Sequence, residues 1–488
     1  MSPPLLSERL ALAALVVAWV VPAWWLGAST VAGQGLALGA GAVALSGAAA
    51  ARFTAPATPP AAAPARNRHV GTLVVAGGLA AFLALLLCQA LNPDRVLVPG
   101  RPVGRLLELG HLTWLPAGIE GPFQRLPRDY IHFANAWRHL LVAGAVLLPV
   151  AALALLPRRA APLRTILAAL FLHGVLFSAF AFVHNLSGSK AVLWMVTDPS
   201  FHLGAPQFMG KNQQAAYQVL LLALALAAWA APAALRPWPA LRHRRLWLGL
   251  GTAVVVLGTV TTRSRAGLGA AALLLLAASV FILWPHRRRW RHHRSALLAG
   301  AGLALVLGAG LALLPPVRAT LVRVAELARH PADLFVGGSY RRILHDIAWQ
   351  MTLDRPWFGH GAGCYVLLFS SYHPRVPAYM EALRRDHPDT NRPVHTHADG
   401  DWIEFTAEYG LVGTALLAAP WTVWLATLAR RRPWAPATAL LALGPLLVLA
   451  HGWIDFVLRN PAILGLAATL ALLALSTARP VSPSEAAA

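Results

Sequence analysis

The chain has 488 residues, 57% of them hydrophobic and only 12% charged, with a mean hydropathy of +0.57. That is more apolar surface than a water-soluble globule can bury, so lipid is the expected solvent. The net charge of +22 sits in short basic clusters between apolar runs, which reads as membrane topology rather than as a nucleic-acid surface. Two cysteines, Cys88 and Cys364, are too few and too unlike in setting for a disulfide framework.

A bilayer core asks for roughly 20 apolar residues in helix, and runs of that kind recur along the whole chain. In order they are Leu10 to Ala28, Val31 to Ala50, Val70 to Leu91, Leu140 to Leu156, Thr165 to Val183 and Ala215 to Leu235. Leu246 to Thr261, Leu268 to Trp284, Ala296 to Leu314, Tyr409 to Ala429, Ala435 to Trp453 and Pro461 to Thr477 complete the set. The first run lacks a small-residue cleavage site and a second span follows at once, so it is expected to be retained. The predicted fold class is an all-α polytopic membrane protein of about twelve transmembrane helices. A large hydrophilic loop of amphipathic helices separates spans nine and ten. The expected division is 1–315 (spans one to nine), 316–407 (loop domain) and 408–488 (spans ten to twelve with the tail).

Orientation follows from arginine. The linkers after the second, fourth, sixth, eighth and tenth spans carry clusters such as Arg66 and Arg68, Arg158 and Arg159, Arg287 to Arg289 and Arg430 to Arg432, with no acidic residue among them. By the positive-inside rule these linkers and both termini are cytoplasmic, and the acidic residues fall in outer segments, at their edges or in the tails.

Within the longest outer segment, Pro316 to Ala407, residues Ile343, Leu344, Ile347, Ala348 and Met351 recur at helical spacing and predict an amphipathic helix ended by Pro356. "GHGAGC" (Gly359 to Cys364) reads as a tight turn, because no strand precedes it and the dinucleotide spacing is missing. "TTRSRAG" (Thr261 to Gly267) puts Arg263 and Arg265 at the outer mouth of a hairpin, against the charge trend. They are either snorkelling to lipid headgroups or forming a clamp for a diphosphate, which a planar five-donor guanidinium suits. Lys211 and Asn212, in "GKNQQAAY", could add a second lip; Lys211 could equally be an interfacial anchor.

"HTHADGDWIEFTAEYGLVG" (His395 to Gly413) is the richest stretch. Asp401 and Glu404 have the spacing of a capping box, and Glu404 and Glu408, one turn apart, call for cationic partners. His395, His397, Asp399 and Asp401 could form a metal cluster, but the spacing matches no specific metal motif, so no metal and no cofactor are assigned. A His or carboxylate acting as general base on a sugar hydroxyl is the other reading. His451, Asp455 and Arg459 are spaced i, i+4, i+8, which predicts one helical stripe of paired ionisable groups, with a structural role ahead of a catalytic one.

These motifs, with "RRIL…DRPWFGHGAG" (Arg341 to Gly363) and "HGWIDFVLRNPAI" (His451 to Ile463), resemble the O-antigen ligase and polymerase family of bacterial envelope enzymes. The resemblance implies a metal-independent, inverting glycosyltransferase at the periplasmic face of the inner membrane. Its donor would be an undecaprenyl-diphosphate-linked glycan, and its acceptor lipid A core, another glycan or a protein hydroxyl. Carried over by position, Arg265 matches the family's hairpin arginine and Arg341 its outer-loop arginine. Aligned back from Glu408 without a gap, Asp399 takes the place of the family's active histidine. With two extra residues His397 takes it, so both stand as candidate bases. A lipid-linked glycan transporter or a non-catalytic glycan-binding protein are the alternatives; no internal repeat of the transporter kind is evident.

Overall fold

The computed structural model describes residues 6–54, 65–98, 105–110, 112, 114–120, 135–156, 160–195, 205–208, 210–231, 244–283, 338–386, 396–431 and 435–478, with four isolated positions between 318 and 329. Most of these residues are helical. The bundle comprises α1 (Leu6–Trp24), α2 (Val31–Thr54), α3 (Ala65–Leu91), α4 (Ala136–Leu155), α5 (Ala160–Leu186), α6 (Lys211–Ala230), α7 (Arg244–Val260) and α8 (Arg265–Ala278). Three short helices follow: α9 (Gly338–Asp354), α10 (Tyr365–Tyr372) and α11 (Pro377–Asp386). The last three are α12 (Asp401–Ala429), α13 (Pro436–His451) and α14 (Pro461–Thr477). By length and composition α1, α2, α4, α5, α6 and α12 could each cross a membrane. The apolar parts of α3, α7, α8, α13 and α14 are shorter. Each coincides with one of the expected apolar runs; the ninth run, Ala296 to Leu314, lies outside the described residues.

Helix α6 is the axis. From Gln213 to Ala228 all of its residues are buried; beyond Gln218 its surface is apolar or small on every side and so is covered on every side. Small residues let neighbours come close: a Cβ on Gly444 of α13 would lie 2.7 Å from the Ala223 Cβ. Several polar groups of this interior pair with one another, which spares them the cost of facing hydrocarbon alone. Tyr217 Oη lies 2.9 Å from His173 Nε2, and Ser178 Oγ donates to Gln218 Oε1 at 2.7 Å.

The architecture is helical as expected, with one small addition. After α3 comes a three-stranded sheet of β1 (Pro93–Val98), β2 (Arg105–Glu108) and β3 (Gly118–Glu120), in the order β2-β1-β3, antiparallel on one side and parallel on the other. Its strands are short and half-exposed, so they carry too little alternation to stand out among apolar helices. The ion pair of Asp94 and Arg355, at 2.7 Å, ties β1 to the end of α9.

A second core lies at this end of the bundle. The predicted stripe of Ile343, Leu344, Ile347, Ala348 and Met351 on α9 is buried against Tyr365, Leu368, Phe369 and Tyr379 of α10 and α11. The turn after α9 docks into a break in α12. Gly410 has φ 67° and ψ −177°. Leu411 N and Val412 N donate to Pro356 O and Trp357 O, while His360 N and Gly361 N donate to Ala407 O and Glu408 O, all within 2.7 to 3.1 Å. Helix α12 therefore starts at Asp401, ahead of the apolar run, which begins at Tyr409 beside the break. Its first turns, polar and held by the 356–361 turn, carry the groups of the next section.

Candidate active site

Gly400 is the N-cap of α12. A Cβ there would lie 2.6 Å from His345 Nε2 on α9 and 3.1 Å from Trp453 O in the turn between α13 and α14, so three elements meet at a residue without a side chain. Asp401 N donates to Gly452 O at 2.7 Å, fixing the start of α12 on that turn. The capping-box reading of Asp401 and Glu404 is therefore corrected. Asp401 is already inside the helix, and its Oδ2 accepts from Leu458 N at 2.6 Å.

Asp401, Glu404 and Glu408 recur at i, i+3, i+7 and so project from one face of α12. All three turn to Arg459. Its Nη2 lies 2.8 Å from Glu408 Oε2 and 3.2 Å from Glu404 Oε1, and its Nε lies 3.8 Å from Asp401 Oδ1. Each side chain is nearly or fully buried, and the guanidinium also sits 5.1 Å from the Phe405 ring centre. One cation thus compensates three carboxylates in a space largely closed to water.

Glu404 has a second neighbour. His397 Nδ1 lies 3.0 Å from Glu404 Oε1, and Ala398 N donates to Glu404 Oε2 at 2.8 Å. The Phe456 ring stacks on the His397 imidazole, 4.2 Å between centres and 18° from parallel. Among the described residues His397 Nε2 has no hydrogen-bond partner.

Next to this group is another. Arg341 of α9 faces Asp399 Oδ2 at 4.0 Å and Asp455 Oδ2 at 3.7 Å. Asn212 Nδ2, in the first turn of α6, donates to Asp455 Oδ2, and His345 Nε2 lies 3.2 Å from the Asp399 carbonyl oxygen. Burial pushes the Asp399 carboxyl above its usual range, with Arg341 opposing the rise. Burial, joined by the nearby Asp399 charge, pushes Asp455 up to about 7, against Arg341, Phe456 N–H and Asn212.

The hairpin arginines lie at the same end of the bundle. Ser264 caps α8 by accepting from Gly267 N at 3.2 Å, and Asn185 Nδ2 donates to Thr261 Oγ1 at 3.1 Å, fixing the turn. A Cβ on Gly267 would lie 2.4 Å from the Ala215 Cβ, so α8 meets α6 one turn beyond Asn212. Arg265, the first residue of α8, is exposed and has no acidic partner among the described residues. Arg263 is half-buried with φ 58°. Lys211 starts α6 beside Asn212 and is half-buried.

The structure thus gathers His397, Asp399, Arg341, Asn212 and Glu408, while Arg265, Arg263 and Lys211 stand at neighbouring helix starts. Glu404, Arg459 and Asp455 also belong to the cluster, though no sequence motif marks them as site residues. The single stripe expected of His451, Asp455 and Arg459 is corrected. Helix α13 stops at His451, so Asp455 and Arg459 sit in a turn and reach different partners. The available signal was the coincidence of a lone buried-segment arginine with three acids at helical spacing. Among the described residues no three His, Cys, Asp or Glu side chains are grouped for a metal ion. His397, Asp399 and Asp401 each face the partners just given, and His395 lies outside the described residues.

Residues 250–418 match the family model described as O-antigen ligase. The resemblance to that family is thereby shown. The matched stretch contains Arg263, Arg265, Arg341, His397, Asp399, Glu404 and Glu408, and the polar cluster completes it with Asn212, Asp455 and Arg459 from outside. No curated protein matches the chain. The O-antigen ligase match and the apolar helices together support a multi-pass membrane protein with ligase- or polymerase-like, glycosyltransferase-type activity on a lipid-linked glycan and an acceptor.

Proposed function

We propose that the protein transfers an oligo- or polysaccharide from an undecaprenyl-diphosphate carrier to an acceptor hydroxyl at the periplasmic face of the inner membrane. The observation that carries this reading is His397, with its Nδ1 on a buried carboxylate and its Nε2 without a hydrogen-bond partner among the described residues, inside a segment matching the O-antigen ligases. Nε2 takes the acceptor's hydroxyl proton as the oxygen attacks the anomeric carbon. The bond from that carbon to the diphosphate oxygen breaks, and its electron pair leaves with the lipid diphosphate. Attack opposite the leaving group inverts the anomeric centre.

Charge grows on the diphosphate as the bond breaks, and fixed guanidinium groups meet it. Arg265 is exposed at the start of α8 and is not committed to an acid among the described residues. Arg341 sits between two carboxylates at distances longer than hydrogen bonds, so it keeps donors for the diphosphate. Arg263, Lys211 and Asn212 extend the same edge, and Glu408 holds Arg459 in place. Asp399 is the lesser candidate for the base, because its carboxylate faces Arg341. These cations make a divalent ion unnecessary in the proposal.

The test is transfer of a radiolabelled undecaprenyl-diphosphate oligosaccharide to acceptors in envelope vesicles containing the purified protein. His397→Ala should lower transfer by about 10²- to 10⁴-fold while undecaprenyl diphosphate still binds, and chelator should leave wild-type transfer intact. Full transfer in His397→Ala with loss in Asp399→Ala would move the base to the carboxylate. Loss in neither would leave the reading without a base.

A further inference from the structure

We infer that Glu404 is the positioning residue of the base, acting on the acceptor hydroxyl only through His397; this rests on the function proposed above. Two unambiguous donors fix the Glu404 carboxylate, Ala398 N–H at 2.8 Å on Oε2 and Arg459 Nη2 at 3.2 Å on Oε1, and His397 Nδ1 lies 3.0 Å from Oε1. Glu404 is 1% exposed. A carboxylate held by those two donors is an acceptor only, so the imidazole proton is assigned to Nδ1 and the lone pair to Nε2.

The ring is fixed in two directions. Glu404 sets its rotation in the plane, and Phe456, stacked at 4.2 Å, sets the plane itself. Phe456 and Arg459 come from the same turn between α13 and α14, so one loop supplies both the face of the imidazole and the cation that anchors its carboxylate. During transfer the acceptor O–H bond breaks and its proton goes to Nε2. The Nδ1 proton stays on the ring, and Glu404 remains ionised opposite the imidazolium. The glycosyl bond forms as the diphosphate departs with its electron pair. Glu404 exchanges no proton; it holds one tautomer and meets the positive charge that His397 gains. Asp401 and Glu408 share Arg459 but do not touch His397, so Arg459 is only partly neutralised by Glu404 and keeps that carboxylate in place without withdrawing it from the ring.

A merely structural acid would give a different double-mutant pattern. Two residues that work as one unit are grossly non-additive, whereas independent effects multiply. The experiment uses the full chain in envelope vesicles with the radiolabelled undecaprenyl-diphosphate oligosaccharide, and binding of undecaprenyl diphosphate alone as control. Glu404→Gln keeps the shape but presents an amide that can turn an N–H toward Nδ1. Its kcat should fall by about ten- to a hundredfold with KM for donor and carrier binding unchanged. Glu404→Asp keeps the charge for Arg459 but draws the carboxylate back by one methylene. It should fold as wild type and show the same selective loss in kcat. Added to His397→Ala, either substitution should lower the residual rate no further.

An equal proportional loss in the wild-type and His397→Ala backgrounds overturns the inference and leaves Glu404 a structural acid, with the base assignment intact. Full activity in Glu404→Asp and Glu404→Gln overturns it too. Full activity in His397→Ala is a different failure: it removes the base itself, and with it the reading on which the inference stands.

Discussion

Arg459 Nη2 and Glu408 Oε2, 51 residues apart in sequence, lie 2.8 Å from each other with both side chains buried. The pair joins the turn before α14 to the first turns of α12, and the same guanidinium nitrogen reaches Glu404. Breaking such a group from one side leaves charges without compensation in a dry space. Arg459→Met should therefore destabilise the protein by about 3–5 kcal/mol, read as a large drop in the thermal midpoint of the detergent-solubilised chain. Arg459→Lys should recover only part, because an ammonium lacks the planar fork. A midpoint unchanged in Arg459→Met would mean that the three carboxylates are not held by this cation.

Asp455 gives a pH dependence with a definite sign. Its folded value, pushed up to about 7 by burial and by Asp399, lies above the ~3.9 of an unfolded aspartate. The native state thus binds the proton more tightly than the unfolded one. The stability this confers is complete below pH ~4 and is lost as pH rises towards ~7. Asp399, raised for the same main reason, adds a contribution of the same sign. Asp455→Asn should remove most of the fall in thermal midpoint over this window relative to wild type; parallel curves for the two proteins would refute the assignment.

Two glycines predict opposite outcomes from one chemical change. Gly410 sits at φ 67° with Trp357 C and O 2.3 Å from where a Cβ would be, whereas a Cβ on Gly269 in α8 would meet nothing within 4 Å. Gly410→Ala must both strain the backbone and push the 356–361 turn out of the break in α12, so it should sharply lower yield and thermal midpoint. Gly269→Ala should be neutral or stabilise by up to about 1 kcal/mol. Equal behaviour of the two would contradict the docking of that turn.

Arg265 separates leaving-group chemistry from acceptor chemistry. If it meets charge on the departing diphosphate, Arg265→Ala should cut transfer by about a hundredfold or more and weaken binding of undecaprenyl diphosphate. Arg265→Lys should recover little, since the charge stays but the bidentate fork goes. Full transfer by Arg265→Ala would leave the exposed arginine as a headgroup anchor.

The sequence by itself determined the solvent, the helices that answer to most of the apolar runs, the amphipathic face of α9, the hairpin at Thr261 to Gly267 and the resemblance to the O-antigen ligases. These are properties of local composition and spacing, and a run of apolar residues or a 3.6-residue stripe is fully present in one segment. It also nominated His397, Asp399 and Arg341. Only the tertiary structure decided which of them meet and through what. Whether Glu404 caps a helix or orients a histidine depends on where α12 begins, and that depends on a glycine pressed between α9 and a distant turn. Whether Asp455 and Arg459 pair with each other depends on the helix stopping at His451, which releases them toward Arg341 and Asn212 on one side and toward Asp401, Glu404 and Glu408 on the other. A buried charge takes the nearest compensating group in space, and distance in space is set by packing between elements that no local pattern encodes.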